Sequence, residues 1–555
     1  MGYEFITLDD AQRQARRESL DRHAAIAQFS AAVPIAVILL YRLGSWLATR
    51  SSTQRGAYSA VPGSPVLKQR RLSSAGSWTS TFRAIGWWFG DDIVFLGQNW
   101  GKRDQMIAGA GWFLWLVFLC FNDTGNDYLH LTKRFGIVAL SQFPLQFILS
   151  MKNINPFAYA FGSSHEHLNR WHRTLGWVIY FLLCAHASLY LNFYVQQGIL
   201  AERLTKLVPV LGLSSFIGIT LMSVTALKFI RDYSYRVFFI IHLIGALSLC
   251  GAIYFHSHHS GRQYVIEPLI FFGVDFVKRK IETLSFPSTV ELIPGTSLIK
   301  IVSSLPSKNI NRFRKYNGMH VYLTIPPGSR RSSFLIFEFA YNPFTIASVE
   351  EESGDLVLVA RRQNGPMTGA LAQFADEKPT DTKISLCMEG PYGSAARFPN
   401  LAGPEFDRIL LVAGGVGSTF ILPLYRLIIS ENPAARVQLV WAVRAAGDAT
   451  WADPAILDDE NVHLYITGDA AASGSEMTLR EAVELTDRSH TNPRQIRKRP
   501  DLRKLVDDFF KQGVEDRVAV LVCGPDAMAR ELRAHVGVWA KKGRDIWWHN
   551  EGFTW

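Results

Sequence analysis

The sequence predicts a multi-domain chain: an α-helical membrane bundle, then an antiparallel β-barrel, then a doubly wound α/β sheet. Three observations predict it. Long apolar runs crowd residues 24–277, whereas residues 284–555 are mixed in composition. Short alternating stretches punctuated by Gly, Pro and Ser fill residues 284–403, the pattern of a barrel. Strand and helix patterns then alternate around a Gly-rich turn over residues 404–555, the pattern of a nucleotide-binding sheet. The expected divisions are 1–104 (a first membrane helix and a basic loop), 105–283 (the transmembrane bundle), 284–403 (the barrel) and 404–555 (the α/β sheet). At 555 residues the chain is too long for one domain.

Charge and cysteines narrow the class. A net charge of +10 would suit nucleic acid, but much of the basic excess sits beside apolar runs. That is a membrane-topology pattern, so the expected partner is a lipid bilayer and not a nucleic acid. Cys120, Cys184, Cys250, Cys387 and Cys523 show no metal-ligand spacing, and the first three lie in apolar runs. No disulfide framework is expected. Residues 1–23 are charged and carry no secretory signal pattern.

Seven spans are expected, over residues 24–47, 106–121, 135–151, 171–193, 209–230, 237–255 and 264–277. The second and third are short and the seventh holds Glu267 and Asp275, so each could instead be a buried or tilted helix. Basic residues follow the odd spans: Arg70, Arg71 and Arg83 among others after the first, Lys152 and Arg170 after the third, Arg231 and Arg236 after the fifth, and Lys278 to Lys280 after the seventh. The positive-inside rule puts those loops in the cytoplasm and the N-terminus outside. The one Asn-x-Ser/Thr sequon, Asn122-Asp123-Thr124, falls in an outer loop, consistent with that orientation.

Spans four and six carry the chemistry. His172 and His186 are 14 residues apart, and so are His242 and His256. Fourteen residues at about 100° each return to within roughly 40° of the same helix face, about 21 Å further along the axis. Both helices run the same way, so His172 faces His242 near the inner surface and His186 faces His256 near the outer one. Two bis-histidine sites stacked across a membrane suit two haems with no open position, hence electron transfer. Trp177, Tyr180 and Phe181 lie between the paired positions and either fill that space or pack ordinarily. His258 and His259 break the spacing and read as outer-face polar residues, with metal capture the lesser alternative. His165 and His167 are expected to be solvated.

In the barrel, strands are expected over residues 297–303, 320–324, 333–339, 355–360 and 383–387. In the sheet they are expected over 408–412, 437–443, 462–467 and 518–523. Gly414, Gly415, Gly417 and Ser418 make a turn whose backbone N–H groups can meet a pyrophosphate at the helix start. Cys523-Gly524-Pro525 places a second tight turn at the same carboxyl edge. The second strand ends in Arg444, where an NAD site would want an acid, so NADPH is favoured. Residues 468–505 read as an insertion of unassigned purpose.

Together these features resemble the ferric reductase and NADPH oxidase superfamily, most closely the fungal ferric-chelate (metallo)reductases. The resemblance covers roughly residues 100–555. Asn342-Pro343-Phe344-Thr345-Ile346-Ala347-Ser348 resembles the family's flavin motif, with Asn342 where His is usual. The resemblance implies that this strand lies along an isoalloxazine, that Thr345 bonds the flavin, and that Arg361, Gly365 and Thr368 meet its diphosphate. Glu389-Gly390-Pro391-Tyr392-Gly393 resembles the segment joining the flavin and nucleotide domains, and Arg499-Pro500-Asp501 a Gly-Arg-Pro element, with Lys498 in place of Gly. The terminal Glu551-Gly552-Phe553-Thr554-Trp555 resembles the family's aromatic cover for the flavin, a role implied for Phe553, while Gly414–Gly417 and Cys523–Pro525 resemble its NADPH motifs, which makes Cys523 a catalytic candidate beside Phe553 and Thr345. The implied fold of the soluble half is ferredoxin-reductase-like. The implied cofactors are FAD, NADPH and two b-type haems.

The implied activity is electron transfer from cytosolic NADPH across a membrane, with the plasma membrane expected, to ferric or cupric chelates outside. An iron-uptake permease or oxidase is the candidate protein partner. Dioxygen, giving superoxide, is the alternative acceptor, although no EF-hand calcium loop is present. A membrane transporter with a nucleotide-binding regulatory domain is the alternative of a different class.

Overall fold

The computed structural model describes residues 2–53, 77–95, 98–327, 341–350, 352–363, 365–377, 382–468, 495–513 and 516–552. The chain divides into two compact units. One comprises residues 1–57 and 90–281, the other residues 58–89 and 282–555.

The first unit is helical. It opens with α1 (Asp10–Ser30) and α2 (Val33–Thr53). Asp9 and Gln12 cap α1 reciprocally, each side chain accepting from the other's backbone N–H. Next in sequence, α3 (Ser77–Phe89) belongs to the second unit. A hairpin of β1 (Asp92–Phe95) and β2 (Gln98–Lys102) leads into α4 (Arg103–Phe121). Then come α5 (Tyr128–Leu140), α6 (Phe143–Ser150), α7 (His165–Gln196), α8 (Leu207–Thr225), α9 (Tyr235–His256) and α10 (Gln263–Glu282).

Among the described residues, five helical stretches are long and apolar enough to cross a membrane: residues 10–47, α4, α7, α8 and α9. The two other expected spans differ for local reasons. The third is two helices, α5 and α6, parted at Ser141 and Gln142, with Pro144 in the first turn of α6 where a missing N–H costs nothing. The seventh, α10, runs past the expected 277 to Glu282 and encloses Pro268. Its acids are satisfied. Asp275 is buried and accepts the backbone N–H of Asn153 (2.9 Å) and Ile154 (3.1 Å), while Glu267 accepts from Gln28.

The second unit holds a closed six-stranded antiparallel barrel in the order β3-β4-β7-β6-β5-β8. Its strands are β3 (Leu284–Leu292), β4 (Leu298–Ser304), β5 (His320–Thr324), β6 (Asn342–Val349), β7 (Asp355–Arg361) and β8 (Lys383–Tyr392). Helix α11 (Pro366–Glu377) follows β7. The strand expected at 333–339 lies outside the described residues. β3 is an addition to the expected set: Pro287 and a polar centre hide it, because proline normally demotes a strand.

The rest of the unit is a parallel six-stranded sheet, order β12-β11-β10-β9-β13-β14. It comprises β9 (Arg408–Gly414), β10 (Arg436–Val443), β11 (Val462–Ile466), β12 (Gln495–Ile496), β13 (Val518–Cys523) and β14 (Ile546–Glu551). Helices α12 (Ser418–Glu431), α13 (Leu502–Lys511) and α14 (Asp526–Lys541) cover it. The continuous apolar runs of β9 and β13 suit strands buried on both faces. β14 reads Ile-Trp-Trp-His-Asn-Glu and carries no such run, so no sequence pattern marks it.

Candidate functional site

The four spaced histidines converge in two pairs. His172 and His242 have ring centres 6.1 Å apart, and His186 and His256 have them 6.4 Å apart. A metal–imidazole bond of about 2 Å, plus about 1.1 Å from nitrogen to ring centre, would set two axial rings roughly 6.2 Å apart across one metal. Three of the rings are fixed from behind by hydrogen bonds between Nδ1 and a backbone carbonyl. These join His172 to Gln146 O (2.9 Å), His186 to Thr132 O (2.8 Å) and His256 to Val208 O (2.8 Å). Such a bond commits Nδ1–H and makes Nε2 the acceptor nitrogen, the one that could ligate iron; at His172 the Gln146 side-chain amide lies 3.4 Å from that nitrogen. His242 Nδ1 is buried and has no hydrogen-bond partner among the described residues.

Room at the pairs comes from glycine. A Cβ on Gly136 would lie 2.6 Å from the His186 ring, and one on Gly212 would collide with His256. The residue set therefore fits a bis-histidine haem at each level. Trp177, Tyr180 and Phe181 are turned roughly 80–180° from the His172 face of α7. Tyr180 stacks on Phe216 and Phe181 is exposed, so these rings pack ordinarily. His258 and His259 are exposed beyond α9. His165 is not solvated as expected: it is buried and its Nδ1 lies 2.9 Å from the Glu166 carboxylate. His167 is exposed.

In the barrel, Phe344 and Ile346 point into the core, leaving their backbone as the part open to a ligand. Thr345 lies on the opposite face of β6 with Pro343 and Ala347, and it pairs in register with His320 of β5. Around His320 gather Tyr322 and Tyr392, and Tyr392 donates its hydroxyl to Glu389 (3.0 Å). His320 and Glu389 are buried. Asn342 and Ser348 lie toward the two ends of the strand, half-buried. Gly365 and Thr368 form the turn into α11, where Thr368 Oγ1 accepts from Gln363 N–H and faces its carbonyl, both at 3.1 Å.

Arg361 ends β7 and lies 3.4 Å from Asp448 in the turn after β10. A Cβ on Gly415 would be 3.6 Å from the same guanidinium. Arg361 therefore stands between the barrel and the Gly-rich turn. No local pattern marks Asp448 in the sequence; only the packing of barrel on sheet brings it to Arg361.

The two expected tight turns touch each other. Gly415 has φ +56, and a Cβ on Gly417 would strike the Cys523 carbonyl. A Cβ on Gly414 would lie 2.6 Å from Pro525, and Gly524 sits against Gly414. Ser418 is fully buried and donates to Gly415 O (2.9 Å), and Trp441 Nε1 donates to the same carbonyl (3.1 Å). Ser418 thus shapes the turn from beneath. Gly417→Ala is expected to cost about 1–3 kcal/mol, because the added methyl meets backbone that cannot swing aside. A fall in the temperature of flavin release on heating would measure it.

Cys523 is buried, and burial first, then the Glu551 carboxylate, push its thiol well above the usual range. It is a neutral thiol at physiological pH. Glu551 lies beside it in register on β14 and pairs with His549 at 2.8 Å, a contact that no sequence spacing signals. Arg444 is exposed at the carboxyl end of β10. Phe553 lies outside the described residues, as does most of the 468–505 insertion. Asp501 caps α13 by accepting from Lys504 N–H (2.9 Å).

Comparison with known proteins agrees with this plan. Residues 135–253 match the ferric reductase like transmembrane component, residues 286–396 an FAD-binding domain, and residues 406–537 the ferric reductase NAD binding domain. A probable metalloreductase AIM14 of Scheffersomyces stipitis is 24% identical over 86% of this chain and 89% of its own length. The ferric reductase transmembrane component 1 of Schizosaccharomyces pombe is 23% identical over 83% of this chain and 85% of its own. The same organism's ferric/cupric reductase transmembrane component 2 is 23% identical over 75% and 80%. With these three matches following one another along the chain, the protein is similar over most of its length to fungal ferric reductases and metalloreductases.

Proposed function

We propose that this protein carries electrons from cytosolic NADPH across a membrane to ferric or cupric chelates. The observation that carries the reading is the pair of histidine sites, each with two imidazoles at a separation that would let both hold one iron. The cofactors would supply the redox chemistry, FAD taking a hydride's two electrons and the haems passing them on singly. The metal-chelate acceptor is inferred from the ferric and cupric reductases among the relatives.

The chain's own residues then divide the work. Thr345 and the backbone of Asn342, Pro343, Phe344, Ile346 and Ser348 orient the flavin. Arg361, Gly365 and Thr368 hold its diphosphate. Gly414, Gly415, Gly417, Gly524 and Pro525 let the nucleotide approach, and Cys523 as a neutral thiol lines the hydride path. Phe553 covers the flavin until nicotinamide arrives. His172 with His242, and His186 with His256, fix the inner and outer irons.

Orientation follows from connectivity. In support of this orientation, α3 groups with the second unit, so the basic loop that contains it is assigned to the same side of the membrane as the flavin and nucleotide domains. That is the cytoplasmic side by the positive-inside rule, and the plasma membrane is the membrane proposed. NADPH oxidation with ferric chelate, and then oxygen, as sole acceptor tests the reading. Turnover with ferric chelate under argon is expected; turnover with oxygen alone would make the protein an oxidase.

Arg444 supplies a separate check. Arg444→Ala should raise KM for NADPH about ten-fold, the size of one charge-assisted phosphate contact, and barely change KM for NADH. Equal effects on both coenzymes would remove Arg444 from the 2′-phosphate site.

A further inference from the structure

Helix α3 comes from the basic loop between the first two membrane helices, yet it is built into the nucleotide-binding unit. Trp87 is 9% exposed and joins the core formed by α13, α14 and the sheet. Its ring meets Trp548 of β14 edge-on at 5.8 Å. The Arg533 guanidinium of α14 lies 4.3 Å over the Trp87 ring and donates to its carbonyl at 3.0 Å. Arg83 pairs with Asp545 at 2.9 Å and donates to Gly543 O at 3.3 Å. The seat depends on Gly537, where a Cβ would lie 2.6 Å from the indole nitrogen.

The chain beyond α3 is short and structured. Two residues separate Phe89 from β1, so that step spans at most about 10 Å. The hairpin is closed at its base by Arg103 N–H to Asp91 O (2.9 Å) and by an Arg103–Asp91 ion pair (3.3 Å). Directly after it, the first turn of α4 grips α7. Asp104 pairs with Arg170 at 3.0 Å, and Gln105 donates to Thr174 Oγ1 at 2.8 Å. Arg170 and Thr174 flank His172 on the same helix.

We propose that α3 and its hairpin form a strap that ties the nucleotide-binding unit to the His172 helix, and that this second attachment sets the rate of electron delivery to the inner haem. The first attachment is the junction of α10 and β3, where only Thr283 intervenes. One junction leaves a domain free to swing; two restrict it and raise the effective concentration of donor at acceptor. The step affected is the loss of one electron by reduced flavin to ferric haem iron, which becomes ferrous. The inference rests on the haem assignment above.

The test uses the full-length protein and two variants, Trp87→Ala and Gly537→Leu. The second keeps α3 intact and fills its seat, and leucine suits a helix interior. Anaerobic mixing with NADPH would follow flavin bleaching and haem reduction separately, and brief trypsin treatment would report cleavage after Arg83. Both variants should expose Arg83 to trypsin and keep flavin bleaching within about two-fold, while haem reduction slows by about ten-fold or more. Protection of Arg83 in both variants would overturn the docking. Cleavage at Arg83 with haem reduction at the wild-type rate would overturn the coupling. A protein without haem absorbance would instead defeat the haem assignment, with the trypsin result still reporting on the strap.

Discussion

Replacing His186 or His256 with alanine is expected to remove one of two haems and abolish reduction of an external acceptor, while flavin reduction by NADPH survives. In the proposed assignment each imidazole would be one of two ligands to an iron, and alanine offers no replacement. His186 and His256 are each aimed by a 2.8 Å bond to a carbonyl of a neighbouring helix, so the backbone around them is already set for ligation. The haem-to-flavin ratio, read from absorbance after extraction, should fall by half in either variant. His172→Ala and His242→Ala should also halve it and block haem reduction altogether, because the inner site comes first in the path. Wild-type haem content in both outer-site variants would end the assignment.

The second large effect is expected at Arg361. Losing one charged contact to a phosphate costs about 1.5–3 kcal/mol, so Arg361→Ala should weaken FAD retention ten-fold or more. The structure adds a partner that no sequence pattern discloses. Asp448 lies 3.4 Å from this guanidinium, and its side chain is 8% exposed. Removing Arg361 also strands that carboxylate in a buried place, which adds to the cost. Arg361→Lys keeps the charge but loses the planar fork, and an intermediate affinity is expected. Dialysis against FAD-free buffer, followed by flavin fluorescence of the released cofactor, measures all three proteins. Unchanged occupancy in Arg361→Ala would move the diphosphate site elsewhere.

Much of this protein is legible in its sequence because periodicity is a local property. The 14-residue histidine spacing fixes which helix face each ring occupies, and the structure brings both pairs together. The apolar runs of β9 and β13 and the Gly-rich turn between β9 and α12 are visible for the same reason. Hidden are the elements whose burial depends on distant neighbours. β3 carries a proline and β14 carries histidine, asparagine and glutamate, yet both are paired strands.

By itself, then, the sequence determined the order of membrane bundle, barrel and nucleotide sheet, the paired histidines and the Gly-rich turns, since each is written in spacing along one stretch of chain. Only the tertiary structure decided that Arg361 meets Asp448, that Glu551 stands beside Cys523, and that Trp87 seats over Gly537. Those contacts join residues far apart in the chain or on adjacent strands, and no local signal encodes them. They arise because burying apolar surface forces particular backbones together, and whatever polar groups arrive with them must then be satisfied by one another.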